Sequence, residues 1–214
     1  MIHVQRFVCN MFQENTFVVS DETKDCIIVD CGVFYEEERR ALITYIRDQQ
    51  LNPRHLLATH GHVDHHFGDD FIYREFGLPV EVPAADQRLM EKLPRQAVMF
   101  LGDASDIQMP TQCIYLHEND VITFGNHIVS IIPTPGHSPG SVVYYLADER
   151  LALTGDTLFH LSIGRTDLEG GSMMQLIQSL RSLVQLPDDT IVLPGHGENT
   201  TIGEELKMNP FIDR

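Results

Sequence analysis

The sequence predicts an α/β fold, a four-layer αββα sandwich in one domain over residues 1–214. Three observations predict it. Strand-like segments fall into two groups, one in each half of the chain, and helix-like segments accompany each group. No stretch rich in proline, glycine or serine separates the halves. Two sheets that each carry helices bury the most apolar surface when sheet packs on sheet and the helices cover the outer faces.

Taken in order, "IHVQRFVC" and "NTFVVS" read as the first two strands, and "CIIVDCG" as a buried strand ending at Asp30 and Gly32. "YEEERRALITYIRDQQL" opens with acids that suit a helix N-terminus and has apolar residues at Ala41, Leu42, Tyr45 and Ile46, so a helix follows. "PRHLLATH" returns to strand. Residues 66–76 and 85–101 read as helical, the second broken or kinked at Pro94. Next come five strands, "QCIYL", "VITFG", "HIVSIIPTPG", "GSVVYYLA" and "RLALTGD". "GSMMQLIQSLRSLVQLP" is a helix with a stripe at Met174, Ile177, Leu180 and Val184, "TIVLPGHG" a last strand, and "TIGEELKMNPF" a short last helix. The stretch between "HHFG" and "PTPG", with Met90, Met99 and Phe100, is expected to fill core or to wall a pocket.

At 43% hydrophobic, with no apolar run near the roughly 18 residues of a membrane span, the chain reads as globular. Its start lacks the pattern of a signal peptide, so a cytoplasmic protein is expected. Fifteen basic residues face 31 acidic ones, a net charge of −16. Such a surface repels nucleic acid and anionic lipid, and neither is an expected partner. A cationic centre within a pocket would still admit an anionic substrate. Cys9, Cys26, Cys31 and Cys113 have no C-x-x-C spacing, and Cys26 and Cys31 flank "IIVD", so they read as small core residues.

Four strands finish alike. "HLLATH" ends at His60, "SIIPTPGH" at His137, "LALTGD" at Asp156 and "TIVLPGH" at His196. Each is an apolar run, a small or turn residue, then a metal-ligand type. Rigid strand ends are where α/β sheets keep their ligands. His60 and His62, two apart in extended chain, point to one side. Asp64 and His65 follow as the chain turns into a helix. These seven candidates, His60, His62, Asp64, His65, His137, Asp156 and His196, are too many for one tetrahedral ion and suit two ions sharing a carboxylate. Asp156 is the expected bridge. Two divalent ions bring +4 and the two aspartates −2, a net of about +2, and a water between such ions loses its proton near neutral pH. No nucleophilic Ser or Cys is then needed, and no G-x-S-x-G is present.

"THGHVDHH", "PTPGHSPGS", "LTGDTLF" and "LPGHGENTT" together resemble the metallo-β-lactamase superfamily, in order and spacing over nearly the whole chain. Within it, "GDTLFHLSIGRTDLEGG" and "PGHGENTTIGEELKMNPF" are similar to the small, single-domain glyoxalase II-type thioester hydrolases (hydroxyacylglutathione hydrolases). The resemblance implies the αββα fold, one ion on His60, His62 and His137, another on Asp64, His65 and His196, and Asp156 between. It implies zinc, with iron or manganese in relatives. The implied substrate is a small-molecule thioester such as S-D-lactoylglutathione, with Asp64 orienting the attacking water as a catalytic residue. Arg165 matches a basic residue that helps hold glutathione in larger relatives, and His160 is a further substrate-contact candidate. Asp30 is expected to hydrogen-bond a ligand imidazole. Thr59 reads as a turn residue, and His66 as structural.

The resemblance also separates the chain from parts of the family. β-Lactam hydrolases of the common zinc class have Cys where this chain has Asp156, so that activity is not expected. Larger glyoxalase II enzymes add a C-terminal helical domain, whereas this chain stops at Arg214. "HFGDD" after His65 replaces a usual pair of glycines, which predicts a different helix start. A mononuclear iron persulfide dioxygenase, similar around "GRTD", and a lactone or other ester hydrolase of the same fold are the alternatives. Metal-dependent redox modules with altered ligands and nucleic-acid-cutting relatives with a basic insertion fit less well.

Overall fold

The computed structural model describes residues 1–102 and 107–212. In chain order the strands are β1 (His3–Cys9), β2 (Glu14–Ser20), β3 (Asp25–Val29), β4 (Asn52–Leu57), β5 (Val80–Pro83), β6 (Cys113–Leu116), β7 (Ile122–Phe124), β8 (His127–Pro133), β9 (Val142–Leu146), β10 (Leu151–Gly155), β11 (Leu158–Phe159), β12 (Ser162–Ile163), β13 (Ile191–Pro194) and β14 (Thr200–Thr201). The helices are α1 (Glu36–Asp48), α2 (Asp69–Phe76), α3 (Gln87–Met90), α4 (Leu93–Leu101), α5 (Met173–Leu183) and α6 (Ile202–Met208). One sheet has the order β1-β2-β3-β4-β5-β6, the other β14-β13-β10-β9-β8-β7, and β11-β12 form a small hairpin.

Period-2 alternation within the strands separates the layers. Phe17, Val19, Ile27, Val29 and Leu57 of the first sheet face Tyr144, Leu146, Leu151, Leu153 and Leu193 of the second. The residues between them point outward. Val18, Cys26, Ile28 and Leu56 pack under Leu42 and Ile46 of α1, Ile72 of α2 and Leu93 and Ala97 of α4. Val143, Tyr145, Ala152 and Val192 pack under Leu176, Leu180 and Leu183 of α5 and Ile202 of α6. Each fully buried Leu, Ile or Val contributes about 1.5–3 kcal/mol, so three apolar layers hold the four-layer αββα sandwich that the patterning predicts. Cys26 and Cys31 are buried and free. No described helix is long and apolar enough to cross a membrane.

Several local expectations need correction. Ala41 is exposed, and the buried stripe of α1 is Leu42, Ile43 and Ile46. Met174 is exposed too, and α5 buries Leu176, Ser179, Leu180 and Leu183. Residues 66–68 are not α-helical: a 3-10 turn spans Val63–His65 and α2 starts at Asp69. The break expected at Pro94 is present: α3 ends at Met90 and α4 starts at Leu93, with Pro94 in its first turn, where its missing N–H has no helical partner to lose. In that region Met90 is core, while Met99 and Phe100 are exposed.

Candidate metal centre

Strand direction brings the candidate ligands together. β3 and β4 are parallel, so their carboxyl ends share one edge of the first sheet. β2 is antiparallel to β3, which puts its amino end, Glu14, at that same edge. In the second sheet β8 and β10 both run antiparallel to β9, and β13 runs parallel to β10. The carboxyl ends of β8, β10 and β13 therefore share an edge. The two edges meet where Asn15 N–H donates to Gly195 O at 2.7 Å and Glu14 bridges His196. His60 follows β4, His137 follows β8, Asp156 follows β10 and His196 follows β13.

Two groups of ligand atoms result, His60/His62/His137 and Asp64/His65/His196, each with its atoms within 4.8 Å of one another. Asp156 lies between them. Its Oδ1 is 3.5 Å from His65 Nε2, and its Oδ2 is 3.5 Å from His137 Nε2 and 3.8 Å from His196 Nε2. Asp64 Oδ2 is 3.6 Å from His65 Nε2 and 3.2 Å from His196 Nε2. Ligands held at 2.0–2.1 Å around a tetrahedral ion are about 3.3 Å apart, so most of these spacings suit a shared cation better than hydrogen bonds. His62 Nδ1 and His137 Nε2 are closer, at 2.8 Å. His60 Nε2, His65 Nε2 and Asp156 Oδ1 are buried without a hydrogen-bond partner, which is costly unless something else satisfies them. The donor set therefore fits two divalent ions. Room for it depends on Gly195, where a Cβ would come within 2.4 Å of Asp156 Oδ1 and 2.9 Å of His65 Cε1.

The surroundings set the imidazole tautomers. Thr59 Oγ1 lies 3.0 Å from His60 Nδ1 and donates to Asp30 Oδ2, so it accepts from His60 and leaves Nε2 as a lone-pair donor. His137 Nδ1 donates to Arg165 O and His196 Nδ1 to Phe12 O, again leaving Nε2 free. Burial, then the neighbouring imidazoles, push His60 well below the usual histidine range, and burial with His137 pushes His62 down to about 3. Both rings are neutral, as ligands must be. His65 moves the other way: burial opposes its charge, but Asp64, Asp30 and Asp156 overcome it and raise its pKa. A cation bound there displaces that proton.

Asp30 and Thr59 have larger parts than their sequence positions suggest. Asp30 has φ +52 and accepts from both Thr59 N and Thr59 Oγ1, while its Oδ2 lies 3.2 Å from His65 Nδ1. His66 faces away from the ligands: its Nε2 donates to His60 O and its Nδ1 to Asp69. Arg165 lines the cavity at the centre but forks onto Asp167, Nε and Nη2 each at 2.7 Å. His160 is exposed and is not part of the cavity wall, because the β11–β12 hairpin carries it outward.

Two buried carboxylates escaped the sequence reading. Glu14 is fully buried, its Oε1 is 4.0 Å from His65 Nδ1, and burial drives its acid well above the usual range. In sequence Glu14 is only an acid standing before "NTFVVS", and its burial with the whole of β2 shows in the structure alone. Asp86 accepts from Gly61 N (2.8 Å), Ser138 Oγ (2.6 Å) and Gly140 N (2.6 Å), tying the His60–His62 loop to the His137 loop.

A cavity of about 210 Å³ opens on the centre, lined by both ligand groups with Phe12, Phe100, Arg165 and Leu168. The family model for the metallo-β-lactamase superfamily matches residues 9–196. The hydroxyacylglutathione hydrolase GloC of Haemophilus influenzae is 36% identical over 94% of each chain. The crystal structure of the BLEG-1 B3 metallo-β-lactamase is 36% identical with a TM-score of 0.88, covering 99% of each chain. That of TTHA1623 in a di-iron-bound form is 33% identical with a TM-score of 0.86, covering 98% of this chain and all of that one. With the family model reaching from β1 to the last ligand, and relatives matched nearly end to end, this chain belongs to the metallo-β-lactamase superfamily.

Proposed function

We propose that the protein is a dinuclear metal-dependent hydrolase of thioesters such as S-D-lactoylglutathione. The observation that carries this reading is the placement of Asp156 between the two halves of a seven-ligand set, with Oδ2 3.5 Å from His137 and 3.8 Å from His196 and Oδ1 3.5 Å from His65. The likeness to the Haemophilus hydroxyacylglutathione hydrolase and to a di-iron-bound structure supports it. Two bound divalent ions, zinc by expectation and iron or manganese otherwise, would acidify water and polarise a carbonyl oxygen. The chain's own residues do the rest. His60, His62 and His137 face the carbonyl side, and Asp64 accepts a hydrogen bond from the attacking water and orients it. Phe12, Phe100 and Leu168 wall the cavity and limit bulk water there. The thiolate departs without a proton donor because it is a good leaving group.

The test is hydrolysis by protein of measured metal content, with a lactone and a β-lactam run beside the thioester. Two ions per chain and a thioester rate far above buffer are expected. A thioester rate equal to buffer with both sites filled overturns the proposal. One iron per chain with oxygen uptake on a persulfide would replace hydrolysis by the dioxygenase alternative.

A further inference from the structure

A second cavity, of about 270 Å³, adjoins the metal centre beneath α4. His62, Phe100 and Leu168 line both cavities, so the two meet at a ligand of the first ion group. Small-molecule pockets run from about 300 to 1,000 Å³. Neither cavity reaches that size alone, and joined they do. Leu89, Met99 and Phe100 give the new cavity an apolar wall, and charged side chains complete its edge.

The rim departs from the rest of the molecule. The chain carries about two acids for every base. Here the two are balanced. Lys92 and Arg95 line the cavity together with Asp167 and Glu169. Arg165 pairs with Asp167, while Arg88 at 3.5 Å and Lys92 both contact Glu169. Arg88 and Arg165 thus lie beside the lining and help to offset its two carboxylates. Arg95 has no carboxylate of a described residue within 4 Å, although Lys92 and, more weakly, Arg95 lower the Glu169 pKa, and Glu91 of the same segment keeps its charge while accepting from Gln87 at 3.0 Å.

We propose that this cavity is the subsite for the thiol-side portion of the substrate, and that it selects thiols bearing carboxylates or phosphates through Lys92 and Arg95. The inference rests on the thioester reading above and narrows it to anionic thioesters. Carrier thiols commonly bear such anions far from the sulfur. A thioester carbonyl seated beside His62 would send its thiol chain across Leu89 and Phe100 to Lys92 and Arg95. In a chain of charge −16, a cavity edge where Arg95 has no carboxylate within 4 Å also gives an anion a favourable approach.

The test uses thioethers, which cannot turn over. Metal-loaded protein is titrated calorimetrically with S-methylglutathione, S-methyl-coenzyme A and the dimethyl ester of S-methylglutathione. At least one anionic probe should bind about tenfold more tightly than the ester, and the tighter of the two separates a carboxylate from a phosphate source. Arg95→Gln and Lys92→Gln should each weaken the anionic probe about three- to fivefold, the scale of a solvent-screened charge contact, and leave the ester unchanged. Equal binding of acid and ester, no binding of either anionic probe, or unchanged affinity in both variants overturns the subsite. If the probes behave as expected but thioesters are not cleaved, the hydrolase proposal fails and the subsite stands. Cleavage without this charge dependence sinks the subsite alone.

Discussion

Asp86→Ala should loosen the metal centre without touching a ligand. Asp86 Oδ2 accepts from Gly61 N and Ser138 Oγ, and its Oδ1 accepts from Gly140 N. The loops must come close to do this: a Cβ on Gly140 would lie 2.6 Å from Asp86 N. In the alanine variant Ser138 keeps Ser141 Oγ, 2.8 Å away, but the two backbone N–H groups are left buried and unpaired. Each costs about 1–3 kcal/mol. Burial raises the Asp86 pKa, so removing the carboxylate also returns a desolvation cost. The net expectation is a loss of about 2–4 kcal/mol, or about 5–15 °C in Tm for a domain of this size. Asp86→Asn keeps the two Oδ2 contacts and turns an amide toward Gly140 N, so it should lose about half as much. Urea denaturation of metal-free protein reads the stability. Competition against a chromophoric chelator reads the ions: affinity at His60, His62 and His137 should fall about 10–100-fold, with little change at Asp64, His65 and His196. Unchanged stability together with unchanged affinity in Asp86→Ala would refute the bracing argument.

Asp156→Asn should weaken both ions by more than about 100-fold, since losing even an outer partner costs 10–100-fold; two tightly held ions in that variant would show that Asp156 is not the bridge. His55 and Glu81 form a 2.6 Å contact between β4 and β5, and His55 also reaches Thr123 O at 3.1 Å. The Glu81 hydrogen bond raises the His55 pKa, against the effect of burial. A raised folded-state pKa means that the stabilisation is full below the ordinary value near 6.5 and is lost as pH rises through the folded value. The stability gap between the native chain and His55→Gln should therefore be about 1 kcal/mol larger at pH 5.5 than at pH 9. A gap that is flat with pH would show the pair to be uncharged throughout.

The layers were legible because each strand's alternation is local information. Ile27 and Val29 face one sheet partner while Cys26 and Ile28 face helices, and period 2 alone separates them. The helix faces were read less well. The stripe through Ala41 and Met174 followed spacing, but small side chains at the edge of a face, and residues in a first turn, can rotate out of the core at little cost. The turn at Val63–His65 was missed for another reason: His65 must swing its ring toward Asp156 and Asp64, and a tight 3-10 turn does that where an α-helix beginning at His66 does not.

The site divides along the same line. His60, His62, Asp64 and His65 stand within six positions, and the strand ends announce the other ligands. Glu14 and Asp86 were invisible because their partners are remote: Glu14 acts beside His65, and Asp86 joins Gly61 to Ser138 and Gly140. These carboxylates explain how four loops hold seven ligands in register. Mutual repulsion among neighbouring imidazoles would otherwise spread them, and burial limits it by keeping His60 and His62 neutral. Acceptors behind the rings then fix which nitrogen faces inward: Thr59, Arg165 O and Phe12 O each occupy a Nδ1. Most of the ordering cost is met when the sheets fold around their three apolar layers, unlike a small metal-dependent domain in which the ion itself drives folding. The binding energy of the ions is then free to act where His60 Nε2, His65 Nε2 and Asp156 Oδ1 stand buried without a partner.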